Sequence, residues 1–481
     1  MRLPFFVKGR MCRAGESVRA TRCRTDVFGN ARRSRRVEEN GVVLILVLWV
    51  VVILSTMTLT FAHQTKLAAK MAGFQSDSMQ ADLVAKAGLR QALILLREDL
   101  IKDHEDSIER DTIFRFDYKD RYPYDAGNEY WAYGGDFSKN LYVYVEFGGG
   151  TYRVDVRDES AKLPLNNPDI PMESYQRLLM ALGWAEDEAE LMAGAIIDWR
   201  DPDDDPTIVS ERRSRDTSSE AHYYNPRQSE RDIRQNGPNY LCKNGPFSAM
   251  EELLLVDGID SVAYFGEDMN ENGKLDENER DRDKSFPMDN GDRFLQKGLK
   301  DFVTVYSNRV NLNTAPFEVI YAILYPLLGD EAERTAHGII NYRNGFDRVP
   351  YTKDDQPMRT ITNDDEDDIH FDKVTGVEQG LLDQLFAKVA SIRSDVFNVT
   401  ALGEYHDVQK GYYAIVTRRW IPEDELPLYG VDTEYVEDLE QVRLTVRVFE
   451  PLLNAETLMS QSVDRSSRRR LERQHRRMRR L

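Results

Sequence analysis

The run VVLILVLWVVVILSTMTLTFA, residues 42–62, decides the architecture of this chain. It holds 21 residues without a charge, and that length lets an α-helix cross a bilayer core of about 30 Å. Four arginines lie shortly before it: Arg32, Arg33, Arg35 and Arg36. Because basic residues stay on the cytoplasmic side, the sequence predicts one spanning helix with a cytoplasmic N-terminus. A cleaved secretory signal would have a shorter apolar run with its small residue after it, whereas Gly41 stands before this one. A plain signal anchor is the alternative.

The helix is expected to continue beyond the membrane. Residues 63–100 contain no proline and many Ala, Leu, Lys and Gln. Four apolar residues lie near helical spacing and predict a stripe that packs on a globular body: Leu83, Ala87, Leu93 and Leu96. Gly88 costs about 1 kcal/mol relative to Ala inside a helix, so we expect it to permit close packing there.

Strand patterns flank a long helical region. Segments 141–147 and 151–158 alternate apolar and polar residues around three glycines, which predicts a hairpin. The alternation returns only at 396–405, 411–420 and 441–450. The predicted fold class is α+β, with a long N-terminal α-helix packed on an antiparallel sheet and a large α-helical domain inserted between strands. The predicted parts are a basic leader at 1–41, a body at 101–160 and 393–455, an insertion at 161–392 and a basic tail at 456–481.

Charge is distributed unevenly along the chain. The formal net charge is −19, yet residues 1–40 carry about +7 and residues 465–481 carry about +8. The intervening chain is therefore strongly acidic, which disfavours nucleic acid and favours divalent cations. We expect the tail to lack a packed core. It is either solvated or in contact with anionic lipid or the acidic body of another subunit.

The sequence DMNENGKLDENE, residues 268–279, has the pattern of an EF-hand-type calcium loop. Gly273 permits the sharp turn. Side-chain oxygens, the backbone carbonyl of the lysine and a closing bidentate glutamate would supply the ligands: Asp268, Asn270, Asn272, Lys274, Asp276 and Glu279. Hard oxygen ligands at this spacing suit Ca²⁺ better than a transition metal. The weak flanking helices favour a structural clip over a sensor, and an acidic loop without metal is the alternative.

Two further acidic sets are weaker metal candidates. One is a degenerate loop around Asp289, Asn290 and Asp292. The other follows a predicted helix and comprises Asp198, Asp201, Asp203, Asp204 and Asp205, which could otherwise cap and solvate the helix end. A two-metal nuclease is disfavoured, since no His or Lys lies nearby in the sequence. The chain shows no nucleophile–base arrangement, so we expect no enzymatic activity.

The leader, glycine and extended helix together resemble a type IV pilin-like subunit. The resemblance implies that prepilin peptidase cuts between Gly41 and Val42 and methylates the new N-terminus. Such subunits carry Glu as the fifth mature residue, where this chain has Leu46. That glutamate is thought to meet the N-terminus of the neighbouring subunit, so its loss suits a position with no subunit above. The general secretion pathway protein K family shows the same apolar replacement.

Motifs of the inserted region resemble that K family in the same order. They are DESAKLPLNNP (158–168), IIDWRDPDDDP (196–206), EAHYY (220–224), KNGPFSAMEELLLVDGI (243–259) and VNLNTAPFEVIYAIL (310–324). A polar insert at 210–219 departs from the family pattern before the tyrosine pair. The family's insertions can hold more than one Ca²⁺. The resemblance implies a minor pseudopilin of type II secretion at the pseudopilus tip. Its partners would be I- and J-type minor pseudopilins, prepilin peptidase and inner-membrane lipid, with the body in the periplasm of a bacterium.

Two alternatives remain open at this point. One is a membrane-anchored calcium-binding minor pilin or adhesin of a type IV pilus-like system. The other is a nucleic-acid module, because residues 312–345 resemble a helix-hairpin-helix repeat. Its hairpin contains Asp330 and Glu331, which would face phosphate, so the sequence favours a retained fold without DNA binding.

Overall fold

The computed structural model describes residues 40–109, 124–133, 145–207, 242–268, 296–348, 350, 354–358, 376–421 and 442–451. Within these residues the α-helices are α1 (Asn40–Glu109), α2 (Tyr130–Tyr133), α3 (Met172–Ala181), α4 (Glu186–Arg200), α5 (Ser261–Phe265), α6 (Phe317–Leu328), α7 (Ala332–Arg343) and α8 (Gln379–Lys388). The strands are β1 (Val145–Phe147), β2 (Gly150–Asp158), β3 (Leu163–Pro164), β4 (Val303–Thr304), β5 (Val310–Asn311), β6 (Ala390–Ser391), β7 (Val396–Tyr405), β8 (Val408–Trp420) and β9 (Val442–Pro451).

Helix α1 runs through the apolar segment and continues without a break to Glu109, beyond the predicted end near Leu100. By length and composition, the part from Val43 to Asp103 qualifies as one candidate membrane span. The chain divides into two units, residues 1–71 and 72–481. The packing described below belongs to the second unit.

The buried stripe of α1 differs from the predicted one. Of the four predicted residues only Leu96 is fully buried, Ala87 and Leu93 are half-buried, and Leu83 is exposed. The buried positions are instead Ala81, Val84, Ala85, Leu89, Ala92, Leu95, Leu96 and Leu100. The prediction is confirmed for Leu96, and Leu93 packs against the same core, but it was wrong for Leu83, because the helix approaches the sheet through Ala81, Val84 and Ala85.

Glycines make this close approach possible. An ideal Cβ on Gly403 of β7 would lie 2.3 Å from the Ala85 nitrogen and 2.5 Å from the Ala81 carbonyl oxygen. On the helix side, a Cβ on Gly88 would lie 3.0 Å from Cδ2 of Tyr152. The expectation that Gly88 permits close packing is therefore confirmed. The backbones of α1 and β7 meet almost without intervening side chains.

The sheet has five strands in the order β1-β2-β7-β8-β9, and all its neighbours are antiparallel. The predicted hairpin is confirmed, with Gly148 and Gly149 at positive φ in its turn. Strand β2 pairs directly with β7, for example Val156 with Val399, although more than two hundred residues separate them. One sheet therefore continues across the insertion. A β-bulge opposite Ile415 and Val416 distorts the edge strand β9.

The face of the sheet that meets α1 forms one core. Phe397, Val399 and Ala401 pack there with Ala92 and Leu96 of the helix. Alternation along β7 and β8 places every second residue in this core, as a period of two requires. The rings of Trp131 and Phe397 meet edge to face with centroids 5.0 Å apart.

The inserted domain has a separate hydrophobic core, built by α3, α4, α6, α7 and α8. Helices α6 and α7 form a hairpin around Gly329, which has a φ of +57°. Two short parallel pairs, β3 with β4 and β5 with β6, were not predicted. They were missed because two-residue strands carry no periodicity. The α+β fold class with a helical insertion is confirmed.

We predict that Gly403→Val destabilises the full chain in detergent by at least about 3 kcal/mol, since overpacking against backbone cannot relax by rotamer change. Gly73→Ala is the matched control: nothing lies within 4 Å of a Cβ there, so it should be neutral or slightly stabilising. Denaturant unfolding monitored by circular dichroism measures both. Equal midpoints for the two variants would contradict the close-contact explanation.

Candidate functional site

Most of the predicted calcium loop lies outside the described residues, and so the prediction stays untested. This applies to Asn270, Asn272, Lys274, Asp276 and Glu279, and also to Asp289, Asn290 and Asp292 of the second loop. Asp268 is described and is buried.

The two ends of this acidic region are held side by side. The Glu267 nitrogen donates to the Gln296 carbonyl at 3.0 Å, and the Gln296 nitrogen donates to the Glu267 carboxylate at 2.7 Å. An isolated β-bridge joins Gly266 to Lys297. The residues just before the calcium motif and those at the far end of the acidic region are therefore held together. We call this contact between Gly266, Glu267, Gln296 and Lys297 the clamped base.

The Asp198 set lies at the C-terminal end of α4 and around the turn that follows. The Asp198 carboxylate accepts from the Thr207 nitrogen at 2.8 Å, and that of Asp203 accepts from the Asp205 nitrogen at 3.0 Å. Burial, followed by the charges of Asp203 and Asp198, raises the pKa of Asp201 to about 6. The two hydrogen bonds agree in part with the alternative in which these aspartates cap the end of α4 and bind no metal.

Two oxygen atoms near this turn are buried without a hydrogen-bond partner: Oδ1 of Asp201 and Oδ1 of Asn244. The Asn244 amide also donates to the Asp203 carbonyl, which brings it to the same turn. Unsatisfied oxygens are costly when buried, and a cation is one means of satisfying them. The carboxylates around Asp198 do not come together as a group of three. Among the described residues, three acidic ligand atoms lie within 4.8 Å of one another only at Asp99, Asp103 and Asp125.

A second polar cluster, absent from the sequence predictions as a site, links the inserted domain to the body. We call it the polar junction, and it comprises Asp99, Asp125, Asp158, Asn311, Thr314, Ser394 and Arg418. Its members come from α1, the segment before α2, the end of β2, the inserted domain, the chain just before β7, and β8.

Arg418 is the cation of the polar junction. Its guanidinium donates to Asp99 at 2.7 Å and also to Asp125, while its Nε donates to the Ser394 carbonyl at 3.2 Å. The guanidinium also lies 4.7 Å from the ring centre of Phe397. Breaking a fully buried pair of this kind typically costs about 3–5 kcal/mol, because it leaves a charge without its partner in low dielectric.

Asp158 closes the polar junction on the side of the insertion. Its carboxylate accepts from the Ser160 nitrogen at 2.7 Å, from Asn311 at 3.1 Å, and from the hydroxyls of Thr314 and Ser394. Asp158 ends β2 and Ser394 shortly precedes β7, so these two residues mark the chain's exit from the sheet and its return. Asn311 also donates to the Asp125 carbonyl at 2.9 Å. The contacts fasten both crossing points to the inserted domain.

Burial is the largest influence on the pKa of Asp158 and of Asp99. It raises the pKa of Asp158 to about 7, although the hydroxyls of Ser394 and Thr314 act in the opposite direction. It raises the pKa of Asp99 to about 6, against the pull of Arg418 and with the repulsion of Asp125. Burial acts to lower the pKa of Arg418, but the charges of Asp125 and Asp99 outweigh burial, so the pKa of Arg418 is raised. Burial thus outweighs the pairing with Arg418, so the pKa of Asp99 stays above its usual value.

The sequence contained a signal for this cluster. Ala414, Val416, Arg418 and Trp420 occupy alternate positions of β8 and all are buried, so Arg418 is a charge on a core-facing position. Asp99 and Asp125 carried no comparable signal, since their partners are remote in sequence.

We predict that the free energy of unfolding falls as the pH rises from about 4 to 7. A carboxyl group whose folded pKa exceeds its unfolded value adds stability below the unfolded pKa and loses it as the pH rises through the folded one. Asp158→Asn should flatten this dependence by about 1.4 kcal/mol for each pKa unit removed.

The control for this titration is Asp169→Asn, at an exposed ion pair with Lys388. It should leave the slope unchanged. Denaturant melts of the full chain at several pH values measure all three proteins. An Asp158→Asn slope equal to that of the parent would show that Asp158 does not titrate in this range.

Comparison with known proteins gives matches that share one description. Residues 156–265 match the family model described as type II secretion system (T2SS), protein K. The type II secretion system protein K of Pseudomonas aeruginosa is 28% identical over 176 residues, which is 35% of this chain and 47% of that protein. The chain thus spans about half the length of this curated relative.

A solved structure was also matched, the GspK-GspI-GspJ complex from the type 2 secretion system of enterotoxigenic Escherichia coli. The TM-score is 0.43 with 13% sequence identity, over 80% of this chain and 100% of that chain. That score is too low to carry an argument by itself. The family model and the curated relative carry the same description, so this chain, at residues 156–265, is similar to type II secretion system protein K.

Proposed function

We propose that the chain is a minor pseudopilin at the tip of the type II secretion pseudopilus, which helps to initiate its assembly and protein export across the outer membrane. The observation that carries the proposal is the family match of residues 156–265, in a chain that also bears one long apolar helix. A structural role fits a chain whose polar clusters join its own parts. We expect no enzymatic activity.

The N-terminal end of α1 would anchor the protein in the bacterial inner membrane, with the body in the periplasm. Prepilin peptidase would cut between Gly41 and Val42 and methylate the new terminus. Leu46 would then be the fifth mature residue, with no carboxylate for the terminus of a subunit above it. This supports a place at the end of a filament, and the surrounding apolar residues suit contact with lipid.

A stripe on α1 suits contact with neighbouring minor pseudopilins, which we propose to be of the I and J types. Met79, Leu83 and Ile94 are exposed on the part of the helix that packs on the sheet. Their separations of four and eleven residues return to one helical face. Exposed Val446 and Phe449 of β9 add further apolar surface in the same unit. A surface of this kind marks an interaction site.

The variant Leu83→Lys with Ile94→Lys tests this proposal in cells that lack the chromosomal copy. We expect at least tenfold less co-purification with I- and J-type minor pseudopilins, on the order of one lost hot spot, and reduced secretion of a reporter protein. Mass spectrometry of the parent should find a methylated N-terminus at Val42.

The matched control is Leu254→Lys, an exposed leucine of the inserted domain, which should co-purify and secrete normally. Cells that lack this chain and still secrete the reporter protein normally would contradict the proposed function. They would leave the type IV pilus-like adhesin as the explanation.

We infer further that the inserted domain binds Ca²⁺ through the loop 268–279. The clamped base formed by Gly266, Glu267 and Gln296 supports a structural clip, since it brings the ends of the acidic segment together before any ion binds. The unsatisfied oxygens of Asp201 and Asn244 support a second, weaker site in the turn after α4.

Calcium at one hundred times its Kd should stabilise the chain by about 2.7 kcal/mol, and a chelator should reverse the effect. Glu279→Gln should abolish most of this stabilisation. Asp201→Asn should remove a smaller part, and Asp169→Asn, at an exposed ion pair, should remove none. Thermal unfolding with and without Ca²⁺ measures the shifts. No heat of binding on calorimetric titration of the parent would refute the site.

A further inference from the structure

Three carboxyl groups meet where the later turns of α1 pack on the body. We call Asp99, Asp103 and Asp125 the carboxyl cluster. All three are buried, and one carboxyl oxygen from each lies within 4.8 Å of those from the other two. Asp99 and Asp103 lie four residues apart on α1, a spacing at which like charges destabilise a helix. Both are well beyond the apolar run 42–62, so the cluster gathers like charges inside the protein rather than in the membrane segment.

Arginines offset part of this charge. Arg418 donates to Asp99 and to Asp125, and the charge of Arg393 also acts on Asp99 and Asp103. Further acids act on the cluster or are acted on by it, and they come from three neighbouring segments: Glu129 before α2, Asp158 at the end of β2 and Asp395 before β7. Six acids are thus accompanied by Arg393 and Arg418, with Arg309 acting on Asp395.

Carboxyl groups at this separation are not all ionised when they are buried. Mutual repulsion and the loss of hydration both disfavour the charged form, so a group of this kind keeps a proton and titrates as a unit. Burial, followed by the charges of Asp99 and Asp125, raises the pKa of Asp103 well above its usual value. A divalent cation fits the cluster less well than a proton, because the guanidinium of Arg418 already holds the carboxylates of Asp99 and Asp125.

We propose that the carboxyl cluster keeps a proton in the folded protein at neutral pH, and that loss of this proton to the solvent releases the end of α1 from the body. With all three groups ionised, Asp99 and Asp103 of the helix would repel Asp125 of the segment before α2. The attachment of α1 to its own body would then depend on pH. This inference goes beyond the proposed function, because it concerns no contact with another subunit.

The direction of the pH dependence follows from the raised pKa values. A carboxyl group whose folded pKa exceeds its unfolded value adds stability below the unfolded pKa and loses it as the pH rises through the folded one. The end of α1 is therefore held most firmly in acid and is released as the pH rises. Its backbone amides report this release, because local opening exposes them to hydrogen exchange.

Hydrogen–deuterium exchange of the full chain in detergent between about pH 5 and pH 9 tests the proposal, with exchange times scaled to equal chemical exchange. We expect residues 96–103 of the parent to lose at least about tenfold in protection as the pH rises, which corresponds to one pKa unit. Residues 396–405 of β7 report opening of the whole fold and should change less. Asp103→Asn carries no charge at any pH, so its residues 96–103 should change by less than about threefold.

The matched control is Glu98→Gln, which removes an exposed acid from the same turn of α1 and should keep the response of the parent. Constant protection of residues 96–103 in the parent would overturn the proposal, as would equal losses in 96–103 and 396–405 or a parental response in Asp103→Asn. So would an Asp103→Asn chain that does not fold, because the proposal requires one charge fewer in the cluster to be tolerated. The isolated chain suffices for every measurement, so the result is independent of the proposed function.

Discussion

The buried ion pairs of Arg418 are the interaction on which the rest of the second unit depends. A guanidinium without solvent must be neutralised and hydrogen-bonded, and here carboxylates from α1 and from the segment before α2 do so. Those contacts fix the helix and the segment relative to β8. Since the Ser394 carbonyl is held by the same side chain, the return of the chain from the insertion is fixed as well.

The close contact between α1 and β7 imposes a second constraint. At Gly403 the helix backbone meets the strand backbone, so only alanines fit opposite it. Leu83 and Ile94 lie on the opposite face and remain exposed, whereas Leu89, Leu95, Leu96 and Leu100 are buried further along the helix. The same contact thus accounts for the small side chains of α1 that face β7.

The insertion interrupts the sheet in sequence but leaves its pairing intact, because β2 and β7 are adjacent in register. The polar junction lies where the chain leaves and re-enters the sheet. Directional hydrogen bonds to Asp158 tie the inserted domain to the body through Asn311 and Thr314. These contacts hold the inserted domain to the body in addition to the two chain crossings.

The sequence by itself determined the long apolar helix, the hairpin, the three later strands and the helical insertion, because each has a periodicity or an apolar length visible in a local window. It also pointed to Gly88, since a glycine inside a helix is costly without a packing reason. Only the tertiary structure decided which face of α1 is buried, because Gly403 lies more than three hundred residues away from the alanines it meets. It alone assembled the polar junction, whose members are single polar residues of remote elements. Their importance arises from burial and mutual contact. The alternation along β8 indicates the burial of Arg418, but no local pattern encodes the contacts among the members.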